Sequence, residues 1–173
     1  MPLTQAQLVT LKADIIAASD PECVALEAEP THPDRAFAVA LLYNALASPS
    51  WTIWKKRVGI GDIAVKINGT ELAGLSSLNH TRFQTIVSLT NAAGGLDPSL
   101  TDQRQFFDDI FSGAGGATTR ASLLVLWKKL GTRLEKLFST GTGSDASPAT
   151  TAVNIGHNFT VTTNEVLAAM AQP

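Results

Sequence analysis

The sequence predicts an all-α fold, a single helical bundle with a flexible C-terminal arm, and three observations carry that prediction. Apolar residues recur at three- and four-residue steps through most of the chain before Thr140. Asp20-Pro21, His32-Pro33, Ser48-Pro49 and Asp97-Pro98 each set a residue able to cap a helix before a proline. At the first helical position a missing N–H costs nothing. From Thr140 the run TGTGSDASPATT holds no large apolar residue, and such a segment cannot offset its ordering entropy. The expected division is a helical domain over 1–140 and a flexible arm over 141–173, with short strands and a terminal helix.

The first helix is expected over Leu3–Ala18. Thr4 and Gln7 form a capping box, Leu3 and Leu8 sit at staple positions, and Leu8, Leu11 and Ile15 continue one face. Short helices are expected from Pro21, Pro33 and Pro49, and a turn or helix start at Pro98. After Pro33, the alanine-rich DRAFAVALLYNALAS places Phe37, Leu41, Leu42 and Leu46 on one side, the reading of a buried core helix. Leu78–Leu89 makes an amphipathic helix through Phe83, Ile86 and Val87 that ends at Gly94 or Gly95. Leu100–Ser112 is helical with Thr101 as its cap.

The strongest pattern lies at 113–140, where about six helical turns are expected without a proline. Leu123, Leu126, Trp127, Leu130, Leu134, Leu137 and Phe138 draw its apolar stripe, and Lys129, Arg133 and Lys136 a basic one. That basic stripe suits either the negative end of a helix dipole or an acidic partner surface. The segment AVNIGHNFTV, with Phe159 as a candidate interface residue, reads as a hairpin or extended arm. TTNEVLAAMAQ closes with a second capping box, Thr162 with Glu165.

Charged residues make up only 16% of the chain against 45% apolar, below the roughly 25% charged typical of soluble domains. That balance fits a large core or a surface that partners cover. A formal net charge of −2 gives no general attraction to nucleic acid or anionic membrane. No apolar run approaches the roughly 20 residues that span a bilayer, and no signal peptide is expected. Cys23 is the only cysteine, which excludes an intrachain disulfide and reads as a small core residue.

The sequence carries no catalytic, cofactor or metal signature. GAGG at 113–116 lacks the Lys-Ser/Thr of a phosphate loop and reads as a connector. His32, His80 and His157 lack metal-site spacing. Asp108 and Asp109 point about 100° apart on a helix and do not converge. Trp51 and Trp54 beside Lys55, Lys56 and Arg57 admit three readings: ordinary inward packing, base stacking with phosphate neutralisation, or aromatic anchors in a protein interface.

At FFDDIFSGAGGATTRASLLVLWKKLGTRLEKLFSTGTGSDASPAT the sequence resembles a family of small proteins from tailed bacteriophages and prophages. ALASPSWTIWKKRV and INGTELAGLSSLNHTRFQTI look like the same family's middle region. The resemblance covers residues 1–150, and AVNIGHNFTV diverges most. It implies a virion structural protein and not an enzyme, of head–tail connector or adaptor type, forming a homo-oligomeric ring on the portal. The implied partners are copies of itself, portal and tail components, with DNA passing non-specifically and no membrane. The implied location is the virion, and the host cytoplasm during assembly. Trp51, Trp54, Lys129, Arg133, Lys136 and Phe159 are the candidate interface residues. Another virion component (tail, terminator, capsid decoration or fibre-associated protein) and a small nucleic-acid-binding regulator are the alternatives.

Overall fold

The structure, a computed structural model, describes residues 2–152 and 159–173. In chain order its elements are α1 (Gln5–Ala17), α2 (Pro21–Ala28), α3 (Pro33–Asn44), β1 (Thr52–Trp54), α4 (Ile60–Ala64), α5 (Gly69–Ala73) and α6 (Ser77–Ala92). There follow α7 (Thr101–Ile110), a 3-10 turn (Ala114–Gly116), α8 (Ala117–Trp127), β2 (Lys128–Leu130), α9 (Arg133–Leu137), β3 (Ser139–Thr140), β4 (Thr150–Thr151) and α10 (Thr163–Met170). The fold is mostly α, with short strands. It forms two compact units and not one bundle: residues 1–53 with 130–173, and residues 54–129. The first unit therefore runs across the boundary expected at residue 140.

In the first unit α3 packs against α2 and α10, and α1 packs against both of those. Local chemistry sets the helix starts. Thr4 and Gln7 close the expected capping box on α1, Pro21 and Pro33 occupy the first turns of α2 and α3, and Thr162 and Glu165 close the box on α10. Glu165 also accepts the Leu3 N–H at 2.8 Å, which ties the two ends of the chain together.

The face that α3 buries is not the expected one. Ala36, Val39, Ala40 and Tyr43 are buried, while Phe37, Leu41 and Leu46 are exposed. The alanines let α2 and α10 approach closely, so small side chains take the inside position and the larger apolar ones are left out. Cys23 is fully buried among these helices. Burial raises its thiol pKa to about 11, with Arg133 opposing. The native protein is accordingly expected to resist thiol reagents at pH 8 and to react only on unfolding; fast native labelling would contradict this packing.

The segment after Thr140 is not a loose arm over its described residues. β3 and β4 pair antiparallel, Ser139 with Thr151 and Thr140 with Thr150. The Gly143 carbonyl accepts the Thr52 N–H at 2.7 Å, and the Ala149 N–H donates to the Thr52 carbonyl at 2.9 Å. Asn44 then holds Val161 through two 2.8 Å bonds, one to its carbonyl and one from its N–H. The hairpin expected within AVNIGHNFTV falls largely on residues 153–158, outside the described ones.

The long helix expected over 113–140 is broken. α8 stops at Trp127, and Lys128 turns extended. The Gly131 N–H donates to the Trp51 carbonyl at 2.7 Å, and a Cβ at Gly131 would press on Ile53 at 3.2 Å. Thr132 and Glu135 then form a fresh capping box that starts α9. The same pairing explains why no helix starts at Pro49: the backbone of Trp51 and Thr52 is engaged by distant segments.

The second unit packs Val58, Ile63, Phe107, Phe111, Leu123 and Trp127 into its core. Phe107 meets Trp127 edge-on at 5.7 Å, and Phe83 meets Phe111 edge-on at 5.8 Å. Ser76 caps α6, which closes through Gly94 and Gly95 at positive φ. Leu100, not Thr101, is the cap position of α7; the Thr101 hydroxyl instead accepts from Arg104 at 3.1 Å.

Glu71 supplies the cap that α8 lacks in its own sequence. Its carboxylate accepts the N–H groups of Thr118 at 2.9 Å and Thr119 at 2.7 Å, two of the orphan donors of a helix start. Desolvation raises its pKa, but the hydrogen bonds from Thr119 and Thr118 outweigh that and bring it from the ordinary 4.5 to about 2. A depressed carboxylate pKa stabilises above the unfolded value and loses that contribution as pH falls through the folded one. Acid titration should therefore weaken the second unit between about pH 4.5 and 2. Glu71→Gln should flatten that stretch of the stability curve; an unchanged slope would sink the assignment.

Candidate interaction site

The sequence-predicted site residues do not form one surface. With the long helix broken, Lys129, Arg133 and Lys136 no longer share a helical face. Lys129 is exposed on β2, whereas Arg133 and Lys136 lie on α9. Trp51 and Phe159 belong with the latter in the first unit, while Trp54 and Lys129 belong to the second. Phe159 packs, partly buried, against the first unit's core. It therefore serves as an internal anchor as much as a candidate contact.

Arg133 is the centre of what does assemble. As the first residue of α9 it projects toward α1, α2 and α3, and its guanidinium meets Asp20 at 2.6 Å and Asp14 at 3.6 Å. It also lies 4.6 Å from the Tyr43 ring centre, and the Tyr43 hydroxyl donates to Asp14. Desolvation works against the arginine's charge, but the hydrogen bond to Asp20 and the charges of Tyr43, Asp20 and Asp14 together outweigh it and raise its pKa. Burial first, and then the bond to Asp14, push the Tyr43 phenol far above its ordinary value.

Asp14, Asp20 and Arg133 line a cleft of about 510 Å³ with Leu42, Ser48 and Lys136. Two carboxylates face two cations in it, so the cleft has little net charge to recruit an ion. The buried thiol and the phenol beside it both stay protonated at neutral pH. What the geometry does is clamp four helices: Arg133 joins α9 to carboxylates on or beside α1 and α2 and to the aromatic ring of α3. A partly exposed ion pair of this kind contributes on the order of 1 kcal/mol.

Trp51 and Trp54 each carry a cation over the ring. Lys136 Nζ lies 5.4 Å from the Trp51 centre and Arg104 Cζ 4.1 Å from that of Trp54. Trp51 Nε1 donates to Ser139 Oγ at 2.9 Å. In the basic triplet, Lys56 donates to Ser99 Oγ at 2.9 Å and Arg57 to the Gly94 carbonyl at 2.7 Å. Both ring faces, and Lys56 and Arg57 of the triplet, are thus engaged within the chain. Among the described residues no group of three or more His, Cys, Asp or Glu side chains is placed to hold a metal ion, and no helix is long and apolar enough to cross a membrane.

No protein-family model matches the chain, and no curated protein or solved structure matches it either. What the chain offers a partner is its exposed apolar surfaces.

Those surfaces are the feature that sequence reasoning missed. Phe37 and Leu41 stand out from α3, and Leu89 and Phe106 from α6 and α7. A helical stripe in the sequence does not say which of two apolar faces turns inward. Asp14, Asp20 and Glu71 were missed too, because their partners lie 29 to 119 residues away in the chain.

Proposed function

We propose that this chain is a structural subunit of a tailed-phage virion, a head–tail connector or adaptor that assembles as a ring on the portal. Two things support the reading. One is the resemblance of the stretch from Phe106 to Thr150, and of the two earlier segments, to small phage virion proteins. The other, which carries it physically, is the open apolar groove along α6 and α7, with Leu89 and Phe106 exposed on its lining. Contiguous apolar surface left to water marks an interaction site, and a ring subunit needs such surfaces on its flanks.

On this reading the chain does no turnover. Its activity is assembly, with copies of itself and with portal or tail proteins, and its place is the virion after a period in the host cytoplasm. The test is to locate the chain in purified particles and count its copies. A single ring's worth at the neck is expected, along with a rise in mass by light scattering when portal is added. Absence from particles would sink the proposal, and many copies over the shell or tail would move it to another virion component.

A further inference from the structure

We propose that helix α3 of one copy seats in the α6–α7 groove of the next copy, head to tail. The groove encloses about 470 Å³ and is lined by Thr81, Arg82, Thr85, Ile86, Leu89 and Phe106 among others. A smaller hollow of about 150 Å³ continues it past Leu89 and Phe106 toward Leu96. Helix α6 fully buries only Thr90 of its sixteen residues, so most of its surface has no partner within the chain. The Thr81 and Thr85 hydroxyls donate to carbonyls one turn back, of Ser77 at 3.1 Å and Thr81 at 2.9 Å. They are already satisfied and place no polar demand on whatever enters.

The convex counterpart is the exposed side of α3. Phe37 is 54% exposed and Leu41 56%, and with Asp34 they fall at helical spacing on one face. An amphipathic helix presenting apolar knobs one turn apart is what such grooves take. The occupant is a second copy because charge and register agree with the groove: of the two charged groups on its lining, Asp109 already accepts from Gln105 at 2.8 Å, which leaves Arg82 to meet an incoming carboxylate. Among the described residues neither Asp34 nor Arg82 has an ion-pair partner. Asp34 to Leu41 and Arg82 to Leu89 are both seven-residue steps, about 10 Å along a helix. With α3 laid parallel to α6, Asp34 meets Arg82 while Leu41 reaches Leu89 and Phe106. Knob and groove are different surfaces of the same chain, so every copy can both offer a knob and accept one. This inference rests on the self-association in the reading above, and not on the virion.

The test uses two full-length variants, Phe37→Asp/Leu41→Asp with the groove intact and Leu89→Asp/Phe106→Asp with the knobs intact. All four positions are exposed, so circular dichroism and melting should match the parent chain. Light scattering is expected to show larger species for the parent, monomers for each variant alone, and a one-to-one pair when the variants are mixed. A parent chain that stays monomeric to its solubility limit overturns the inference. So does a knobless variant that still self-associates, or a mixture that does not pair.

If either variant misfolds, the charge pair decides. Asp34→Arg and Arg82→Asp should each weaken association about tenfold, and the chain carrying both should regain it; no recovery overturns the register. Pairing without any presence in particles would sink only the virion reading, and presence in particles without pairing would sink only this contact.

Discussion

Gly116→Ala is expected to destabilise the second unit by about 3 kcal/mol, lowering its thermal midpoint by roughly 12–24 °C. The chain turns so tightly between α7 and α8 that Gly116 lies against the backbone of Phe111. A Cβ there would fall on the Phe111 carbonyl oxygen, its carbon and its Cα, far inside van der Waals contact. Backbone atoms cannot rotate aside as a flexible side chain would. Nor is Phe111 free to shift: it is buried at the core, edge-on to Phe83, and its carbonyl also accepts from Arg120. The control is one residue away. A Cβ at Gly115 meets nothing within 4 Å, so Gly115→Ala should be close to neutral. Equal melting of the two variants would mean that the turn is not built as described.

Gly143→Ala should release the segment after β3 from the rest of the first unit. Gly143 has φ 64°, a left-handed conformation that costs an L-residue about 1–2 kcal/mol. Its added Cβ would also enter the Trp51 ring, so the indole must leave its place. Moving it breaks the Nε1 bond to Ser139 and the packing under Lys136, and disturbs the Thr52 N–H bond to the Gly143 carbonyl. The expected loss is about 2–3 kcal/mol. Hydrogen exchange should show lost protection at Thr52 and Ala149, with a red shift in tryptophan emission. Unchanged protection at both amides would show that the loop does not depend on this glycine.

The two glycines also show where reading along the chain stops. In GAGG and TGTGSD they look like flexible connectors, since glycine is the residue of mobile turns. In space Gly116 is where two backbone segments nearly touch, and Gly143 is where a loop crosses an indole. Both demands come from residues a reader of the local segment does not see, Phe111 in one case and Trp51 in the other. The broken helix at 128–132 is a partial exception. Thr132-x-x-Glu135 is a capping box in the sequence itself, and only the strength of the surrounding apolar stripe hides it.

By itself the sequence determined where most helices begin, because capping boxes, N-terminal prolines and C-terminal glycines act over three or four residues. Thr4, Pro21, Pro33, Ser76 and Thr162 all start helices as those local rules require. Only tertiary structure decided which face of each helix turned inward, and that the chain closes into two units. It also decided that Arg133 is locked to Asp14 and Asp20 and is not part of a basic stripe. The physical reason is the range of the forces. A cap is satisfied by its own neighbours, whereas close packing of Ala36 and Ala40, or a carboxylate at a distant helix start, depends on segments far off in the chain.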